Sequence, residues 1–199
     1  MFTGIIQAIG HIAAIEVQGG DRRLRIATGK LDLSATKLGD SIAVSGVCLT
    51  VVQLADDGFW ADISAETLSC TVCGDFQVGS AVNLEQALTL STALGGHLVS
   101  GHVDGVGRVL GRHDDARSER LRITAPAALA RYIAAKGSIC VDGVSLTVNA
   151  VDGDEFELNI VPHTLQATTL GAFVPGRRVN LEVDIIARYL ERLLEKGER

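Results

Sequence analysis

The sequence is poor in aromatic residues and has no excess of positive charge. Only 4% of its 199 residues are aromatic, and 24 acidic residues against 18 basic ones give a formal net charge of -6. A nucleic-acid-binding surface needs basic side chains and, for single strands, aromatic rings on which bases stack. The composition therefore excludes nucleic acid as the expected partner.

Long apolar runs are also missing. No stretch reaches the roughly 18 consecutive apolar residues of a membrane span. The chain begins Met-Phe-Thr-Gly, without the basic region and the apolar run of a signal peptide. We therefore expect a cytoplasmic protein that does not contact a membrane.

Cysteine is scarce, and the four cysteines do not have the spacing of a metal site. Cys70 and Cys73 form a C-x-x-C pair, but the sequence lacks the second pair of ligands that zinc would need. A thioredoxin-type site would need a βαβ context, which is also missing. We therefore predict no metal ion, and we expect Cys70, Cys73 and Cys140 to be core residues.

What the sequence does contain is an internal repeat. Shifted by 97 positions it matches itself without a gap, so that GVCLTV at 46–51 falls on GVSLTV at 143–148. Solenoid repeats have periods of about 20–50 residues, so this longer period indicates that a whole domain has been copied. We predict a first domain at 1–97, a second domain at 98–184 and a C-terminal segment at 185–199.

Each copy contains short β-branched segments separated by glycines, a pattern typical of strands. The predicted strands of the first copy lie at 24–27, 41–45, 49–53, 59–63 and 81–84. The second copy repeats them at 121–124, 138–141, 146–150, 156–160 and 178–181. Five or six short strands predict a small closed barrel in each copy, because closure removes exposed sheet edges.

One helix is predicted between the early and middle strands of each copy. The clearer one lies at 125–136, where Thr124 can cap it, Pro126 suits its first turn and Gly137 can end it. A further helix from Asp184 through Lys196 carries an apolar stripe at three- and four-residue spacing. The stripe leaves open whether this helix packs on its own barrel or on copies of itself in an oligomer.

The differences between the copies indicate function. Gly4-Ile5 becomes Gly101-His102, and Cys48 becomes Ser145. Similar barrels would bind similar ligands, and different side chains at one position would give the two sites different roles. His102 is either a proton carrier near neutral pH or an ordinary histidine on a barrel rim. The residues alone thus predict two related sites for small, flat, polar ligands.

Several motifs resemble those of the riboflavin synthases that are built from two lumazine-binding barrels. They are MFTGI at the N-terminus, SGVCLTV at 45–51, GGHLVSGHVDG at 95–105, VDGVSLTV at 141–148, PHTLQATTLG at 162–171 and VNLEVD at 179–184. The resemblance covers the full chain. It implies a mainly β protein with two tandem homologous six-stranded Greek-key β-barrels and a C-terminal α-helix. Two residues depart from the family pattern. Ser45 stands where Asn is usual, and His163 stands where many members have Glu.

The resemblance implies a transferase that needs no cofactor. The family converts two 6,7-dimethyl-8-ribityllumazine molecules into riboflavin and 5-amino-6-(D-ribitylamino)uracil by transfer of a four-carbon unit, the last step of riboflavin biosynthesis. The acidic methyl group at C7 of the lumazine supplies the carbon nucleophile. The alternative is a non-catalytic lumazine- or flavin-binding carrier protein of the same fold.

The resemblance also implies the site residues. The catalytic residues would be Phe2, which covers the ligand ring, Ser41, which donates a hydrogen bond, and Cys48 and His102, which act in addition and proton transfer. The substrate-binding residues would be Gly4, Ile5, Ile6, Leu49, Thr50, Asp62, Ile63, Ser64, Ala65, Glu66, Thr67, Gly101, Val103, Lys136, Ser145, Leu146, Thr147, Ile160, Val161, Pro162, His163, Thr164 and Leu165.

A homotrimer is implied as well. Each site would combine the first barrel of one subunit with the second barrel of a neighbour, and the C-terminal helix would contribute to the contact. The resemblance leaves open which pocket holds the donor, and whether lumazine synthase is a partner.

Overall fold

Two β-sheets, one for each half of the repeat, form the body of the computed structural model, which describes residues 1–194. The strands of the first half are β1 (Ala8–Gln18), β2 (Asp21–Ala27), β3 (Ser41–Val44), β4 (Val47–Thr50), β5 (Gln53–Ala55), β6 (Gly58–Ile63) and β7 (Ala81–Gln86). Those of the second half are β8 (Gly105–Asp115), β9 (Ser118–Thr124), β10 (Ser138–Val141), β11 (Val144–Asp152), β12 (Glu155–Ile160) and β13 (Arg178–Val183). The predicted mainly β class with two tandem barrels is confirmed.

The second sheet closes into a six-stranded barrel with the order β10-β11-β12-β9-β8-β13. The first sheet has the equivalent order but seven strands, β4-β3-β7-β1-β2-β6-β5, because β4 and β5 together occupy the position of β11. Only Val51 and Val52 separate β4 from β5, and β11 has a register shift at the equivalent place, between Val148 and Ala150. The second sheet therefore closes through one bulged strand, whereas the first remains a seven-stranded sheet whose end strands β4 and β5 are joined by Val51 and Val52.

Each barrel has its own apolar core, built by alternation along the strands. In β6, Phe59, Ala61 and Ile63 are buried, whereas the side chain of Asp62 points outward and is exposed. The strand β12 repeats this pattern in the second barrel. Because burial of one large apolar side chain contributes about 1.5–3 kcal/mol, the two cores fix which face of each strand reaches the surface.

The helix predicted in the second copy is shorter than the sequence pattern predicts. The helices of the structure are α1 (Ala65–Cys70), α2 (Ala127–Ala130), α3 (Pro162–Ala167) and α4 (Ile185–Leu194), with 3-10 turns at Val72–Asp75 and Thr169–Ala172. The prediction of a helix at 125–136 was wrong beyond Ala130: Leu129 enters the core from α2, but Ile133 enters it from the irregular chain that follows the helix. The equivalent stretch of the first copy, 28–40, forms turns instead of the predicted helix.

The C-terminal helix α4 is present, and its last predicted residues, Glu195 and Lys196, lie outside the described part of the chain. None of the helices within residues 1–194 is long and apolar enough to span a membrane.

The cysteines follow the prediction with one exception. Cys73 and Cys140 are buried, but Cys70 is exposed, so the prediction of a core position was wrong for Cys70. The reason is that Cys70 ends α1, a surface helix in which none of residues 65–70 is buried. All four cysteines are free thiols, and within residues 1–194 no three potential ligands lie together as a metal site would require.

Matched turns and buried amides join the two barrels. The turn between β3 and β4 lies against the turn between β10 and β11, with no room for a side chain on either turn glycine. The Asn83 amide donates to the Asp142 carbonyl, and the Asn180 amide donates to the Ser45 carbonyl, each at 2.8 Å. Since buried polar groups destabilise a fold unless they are paired, these bonds select one relative orientation of the barrels.

Asp142 stands where the first copy has Ser45, and its carboxyl group is buried in this interface. Its Oδ1 accepts the Asn180 N–H at 2.7 Å, and its Oδ2 lies 3.8 Å from Arg177 Nη2. Burial raises the pKa of Asp142 from 3.8 to about 7, although the Asn180 hydrogen bond and Arg177 oppose the shift. The native state therefore retains a proton that the unfolded chain releases well below neutral pH.

We expect Asp142→Asn to stabilise the protein at pH 8 and to change little at pH 3. Because the native pKa is raised, the free energy of unfolding of the unmodified protein falls as pH rises between 3.8 and about 7. The neutral amide removes this loss, a gain of up to about 4 kcal/mol, since one pKa unit corresponds to about 1.4 kcal/mol. Chemical unfolding of both proteins across this range measures the difference, and identical pH profiles would contradict it.

Candidate functional site

An opening in each barrel brings together many of the predicted ligand-binding residues. The strand β6 pairs with β5 only as far as Trp60, so Ala61–Ile63 pair with β2 on their other side alone. Beside Ala61–Ile63, β4 pairs with β3 instead of with β6. We call this gap between β4 and β6 the first opening, and the equivalent gap between β11 and β12 the second opening.

Outward side chains of β4 and the start of α1 line the first opening. Cys48 and Thr50 share the outer face of β4, and Ser41 lies opposite Thr50 across the β3–β4 pair. On the other rim, Ser64 caps α1 by accepting the Thr67 N–H at 3.2 Å. The opening is thus bordered by a thiol and several hydroxyl groups.

The second opening has the same framework with different side chains. Ser145 and Thr147 share the outer face of β11, and Pro162-His163 begin α3 on the other rim. Compared with the first opening, the thiol is replaced by a hydroxyl group, and the carboxylate of the α1 residue Glu66 is replaced by an imidazole.

Lys136, near the second opening, adopts a backbone conformation that favours glycine. Its φ is 67°, and the equivalent residue of the first copy is Gly39, with φ 90°. Both donate a backbone N–H to the neighbouring strand, Lys136 to the Val148 carbonyl and Gly39 to the Val51 carbonyl. A side chain in this region costs about 1–2 kcal/mol of backbone strain, a cost that Gly39 avoids.

A buried glutamate on the last strand of each barrel holds a glycine segment. Glu85 accepts the Thr3 N–H, the Thr3 hydroxyl and the Gly4 N–H, at 2.6–2.9 Å. Glu182 holds the equivalent segment of the second copy through the same three bonds. Burial raises the pKa of Glu85, and the hydrogen bonds from Thr3 and Gly4 oppose this shift.

The segment held by Glu182 crosses to the first opening. The Gly101 carbonyl accepts the Cys48 N–H at 2.8 Å, along the edge of β4 that faces the opening. His102, whose N–H donates to Ser100 Oγ at 3.2 Å, follows directly and is exposed. Val103 then packs against the core of the first barrel. The structure therefore places Gly101 against Cys48, and His102 is the next residue along the chain.

The segment held by Glu85 crosses to the second opening in the same way. The Gly4 carbonyl accepts the Ser145 N–H at 2.8 Å, and Ile5 occupies the position equivalent to His102. A histidine not predicted as a site residue also lies here, because His97 Nδ1 is 2.7 Å from Ser145 Oγ. Burial lowers the pKa of His97, opposed by Asp184. The repeat could not reveal this histidine, since it has no equivalent in the first copy.

Phe2 has a different environment from the one that the resemblance implies. Its ring is fully buried and packs with Ala43, Val99 and Cys140. Its backbone forms a bridge with Val99, which leaves the ring beneath Gly101 instead of over a pocket. Phe2 therefore packs against Gly101, which borders the first opening, from the buried side.

Three other predicted residues point into the barrel cores. Leu49, Ile63 and Ile160 are buried there, so only their backbone groups can reach a ligand. The remaining predicted residues are exposed or half-buried around the two openings: Ile5, Ile6, Thr50, Asp62, Ser64, Ala65, Glu66, Thr67, Val103, Leu146, Thr147, Val161, Pro162, His163, Thr164 and Leu165. Asp62 also faces Arg23, at 3.5 Å.

Within residues 1–194, Ser41 and His102 line different cavities. Ser41 lines a cavity of about 250 Å³ with Thr36 and Gln86. His102 lines a separate cavity of about 330 Å³ with Arg188. The chain thus assembles the rims of two openings and leaves both accessible from outside.

Known proteins share this arrangement. The lumazine binding domain family matches residues 3–87 and again residues 100–184. Riboflavin synthase of Photobacterium phosphoreum is 52% identical over 98% of this chain and 89% of its own length. Riboflavin synthase of Mycobacterium bovis is 47% identical over 99% of this chain and 100% of its own length. The crystal structure of LumP with riboflavin has a TM-score of 0.85 at 28% identity, covering 92% of this chain and 99% of that one.

Gly101→Ala should destabilise the protein more than an alanine at an equally unusual but open position. A Cβ at Gly101 would lie 2.7 Å from Cys48 Cβ and 2.9 Å from Phe2 Cε2, with φ 79°. We expect a loss of about 2–4 kcal/mol, from backbone strain and overlap together. The control Gly176→Ala, at φ 91° with no atom within 4 Å, should lose only about 1–2 kcal/mol. Chemical denaturation compares them, and equal losses would contradict tight packing at Gly101.

Proposed function

Because the chain belongs to the riboflavin synthase family, we propose how its two openings carry out the reaction of that family. The protein is a transferase that converts two 6,7-dimethyl-8-ribityllumazine molecules into riboflavin and 5-amino-6-(D-ribitylamino)uracil. Riboflavin synthases that are 52% and 47% identical to this chain support this function over the carrier alternative. The LumP structure with riboflavin is 28% identical to it. One observation carries the proposal: two openings share a framework but differ in their reactive side chains.

The shared framework suits a reaction in which donor and acceptor are the same compound. We propose that each opening binds one lumazine, whose ring edge alternates donors and acceptors as a strand edge does. Backbone groups of Ala61–Ile63 that face away from β2 would pair with this edge in the first opening. The ribityl hydroxyls would then contact Thr50 and Glu66 there, and Thr147 and Lys136 in the second opening.

The different side chains would divide the chemistry between the openings. One lumazine must lose a proton from its C7 methyl group, and the resulting carbanion must attack the other lumazine. We assign proton transfer to His102, since an imidazole exchanges protons near neutral pH. Cys48 would act in the addition step, because a thiol is a far better nucleophile than the Ser145 hydroxyl. Ser41 would donate a hydrogen bond beside them.

The two lumazines must meet face to face, and we propose that this happens between subunits of a homotrimer. The helix α4 supports this arrangement, since none of residues 185–194 is buried in the single chain. Its exposed apolar residues are Ile186, Tyr189, Leu190, Leu193 and Leu194. The first opening of one subunit would face the second opening of its neighbour. Four free thiols support a cytoplasmic location, where thiols stay reduced.

The function is tested by mixing the purified protein with 6,7-dimethyl-8-ribityllumazine and nothing else. We expect riboflavin and the pyrimidinedione in equal amounts, measured by absorbance and chromatography. Tight binding without product would support the carrier alternative, and no binding at all would contradict both.

His102→Ala and Cys48→Ala should separate turnover from binding. We expect each change to lower kcat by about 10²–10⁴-fold, the range for loss of a general acid–base group, with little effect on the Kd of the lumazine. The control His113→Ala removes an exposed histidine of β8. Its turnover should be unchanged. Unaltered kcat in His102→Ala would refute the proton-transfer role.

Leu193→Glu should dissociate the trimer if α4 forms the contact. Leu193 is 71% exposed in the single chain, so a charge there leaves the monomer intact but opposes burial between subunits. Val174→Glu is the matched control, since Val174 is 60% exposed at a distance from α4 in the sequence. Sedimentation should find monomers for Leu193→Glu and trimers for the control. Deletion of all residues after Asp184 should also give monomers, and an unchanged trimer in both cases would reject α4 as the contact.

A further inference from the structure

We propose that the ion pair between Asp104 and Arg188 makes α4 a positioning element for His102. Arg188 lies on α4, whereas Asp104 lies two residues after His102 in the segment that crosses to the first opening. The inference rests on the proposed role of His102 in proton transfer.

Asp104 is tied to β13 from several sides. Its N–H donates to the Leu181 carbonyl at 2.8 Å, and its Oδ2 accepts the Val183 N–H at 2.8 Å. Its Oδ1 pairs with Arg188 Nη2, and only 2% of the Asp104 side chain is exposed. Because a buried carboxylate is costly unless it is paired, Arg188 is the group that allows a charge at this position.

The first copy shows what the strand itself requires. The equivalent residue there is Gln7, which donates its N–H to the Leu84 carbonyl and accepts the Gln86 N–H at its side-chain oxygen, both at 2.9 Å. A neutral amide therefore satisfies the same two backbone partners. The charge of Asp104 adds a bond only to α4, an element that has no equivalent in the first copy. This difference indicates that the ion pair holds the segment from Ser100 to Asp104 in place and is not required by the barrel.

The ion pair lies next to His102 in space as well as in sequence. The segment from Ser100 to Asp104 is held at its start by Glu182 and at its end by the bonds of Asp104, so His102 lies between two fixed points. A cavity of about 330 Å³ is lined by His102, Asp104, Arg188 and Tyr189, which makes α4 one wall around the imidazole. Movement of α4 would therefore shift Asp104 and widen the cavity beside His102.

The consequence for the reaction is a loss of turnover without loss of binding. A proton carrier displaced by about 1 Å can cost about 10²-fold in rate. The rims that would hold the ring edge and the ribityl chain lie on β4, β6 and α1, whereas Arg188 lies on α4 and pairs with Asp104. If α4 also forms the contact between subunits, the ion pair transmits the assembled state of the protein to His102.

The experiment compares Arg188→Gln, Arg188→Lys and the double variant Asp104→Asn/Arg188→Gln. In Arg188→Gln we expect kcat to fall by about 10–100-fold while KM changes by less than about threefold. Arg188→Lys retains the cation and should recover most of kcat. The control Arg122→Gln removes the surface pair of Arg122 with Glu155, at 3.7 Å on the same barrel, and should keep full activity.

The double variant separates positioning from stability. It leaves no unpaired buried charge and reproduces the neutral state of Gln7, so its melting temperature should return toward that of the unmodified protein. Its kcat should stay low, because the bond between α4 and residue 104 is still absent. Recovery of both kcat and stability in the double variant would overturn the proposal. Full kcat in Arg188→Gln would also overturn it, as would dissociation of the Arg188→Gln trimer. Full turnover in His102→Ala would instead refute the proposed function of His102, whatever the Arg188 variants do.

Discussion

Two buried carboxylates determine where the site residues lie. Each of Glu85 and Glu182 accepts three hydrogen bonds from a glycine segment, and charge-assisted bonds of this kind are about twice as strong as neutral ones. The segment is fixed to the barrel of its own copy but lines the opening of the other. The interlocking of the two barrels and the construction of the two sites therefore depend on the same few bonds.

This arrangement explains how a duplicated protein can hold two copies of one compound and still treat them differently. The backbone framework is the same at both openings, so ligands bound as we propose would have one common orientation. Individual exchanges on that framework, Cys48 against Ser145 and Lys136 against Gly39, then change the chemistry without changing the geometry. The carboxyl group of Asp142 shows that such an exchange can also be tolerated at a cost in stability, deep in the interface between the barrels.

Much of the fold could be predicted because the repeat acts as an internal alignment. The short β-branched strands and the equivalence of Cys48 with Ser145 follow from it directly. The longest strands, β1 and β8, were not among the predicted ones, since their many half-buried and glycine positions lack a clear alternation. The helix at 125–136 was overpredicted for the opposite reason: Leu129 and Ile133 have helical spacing and both are buried, but only Leu129 lies in α2.

The sequence indicates which candidate residues share a strand or a helix end, but not which distant segments meet. Nothing in the sequence indicates that His97 contacts Ser145, or that the ring of Phe2 is buried against Val99. These contacts result from the crossing of the two glycine segments, which is a property of the whole fold. Side-chain patterns describe only local burial, so they cannot reveal such a crossing.

The crossing also has a consequence for synthesis. Phe2 pairs with Val99, and the neighbouring Gly4 bonds to Ser145, so this segment is synthesised well before its partners. At about 5–20 residues per second, the N-terminal segment waits many seconds for the second copy to appear. During that interval the first opening lacks the segment of the second copy that borders it, and the side chain of Phe2 is exposed to solvent. The two copies, although each has its own core, therefore complete their folding as one unit.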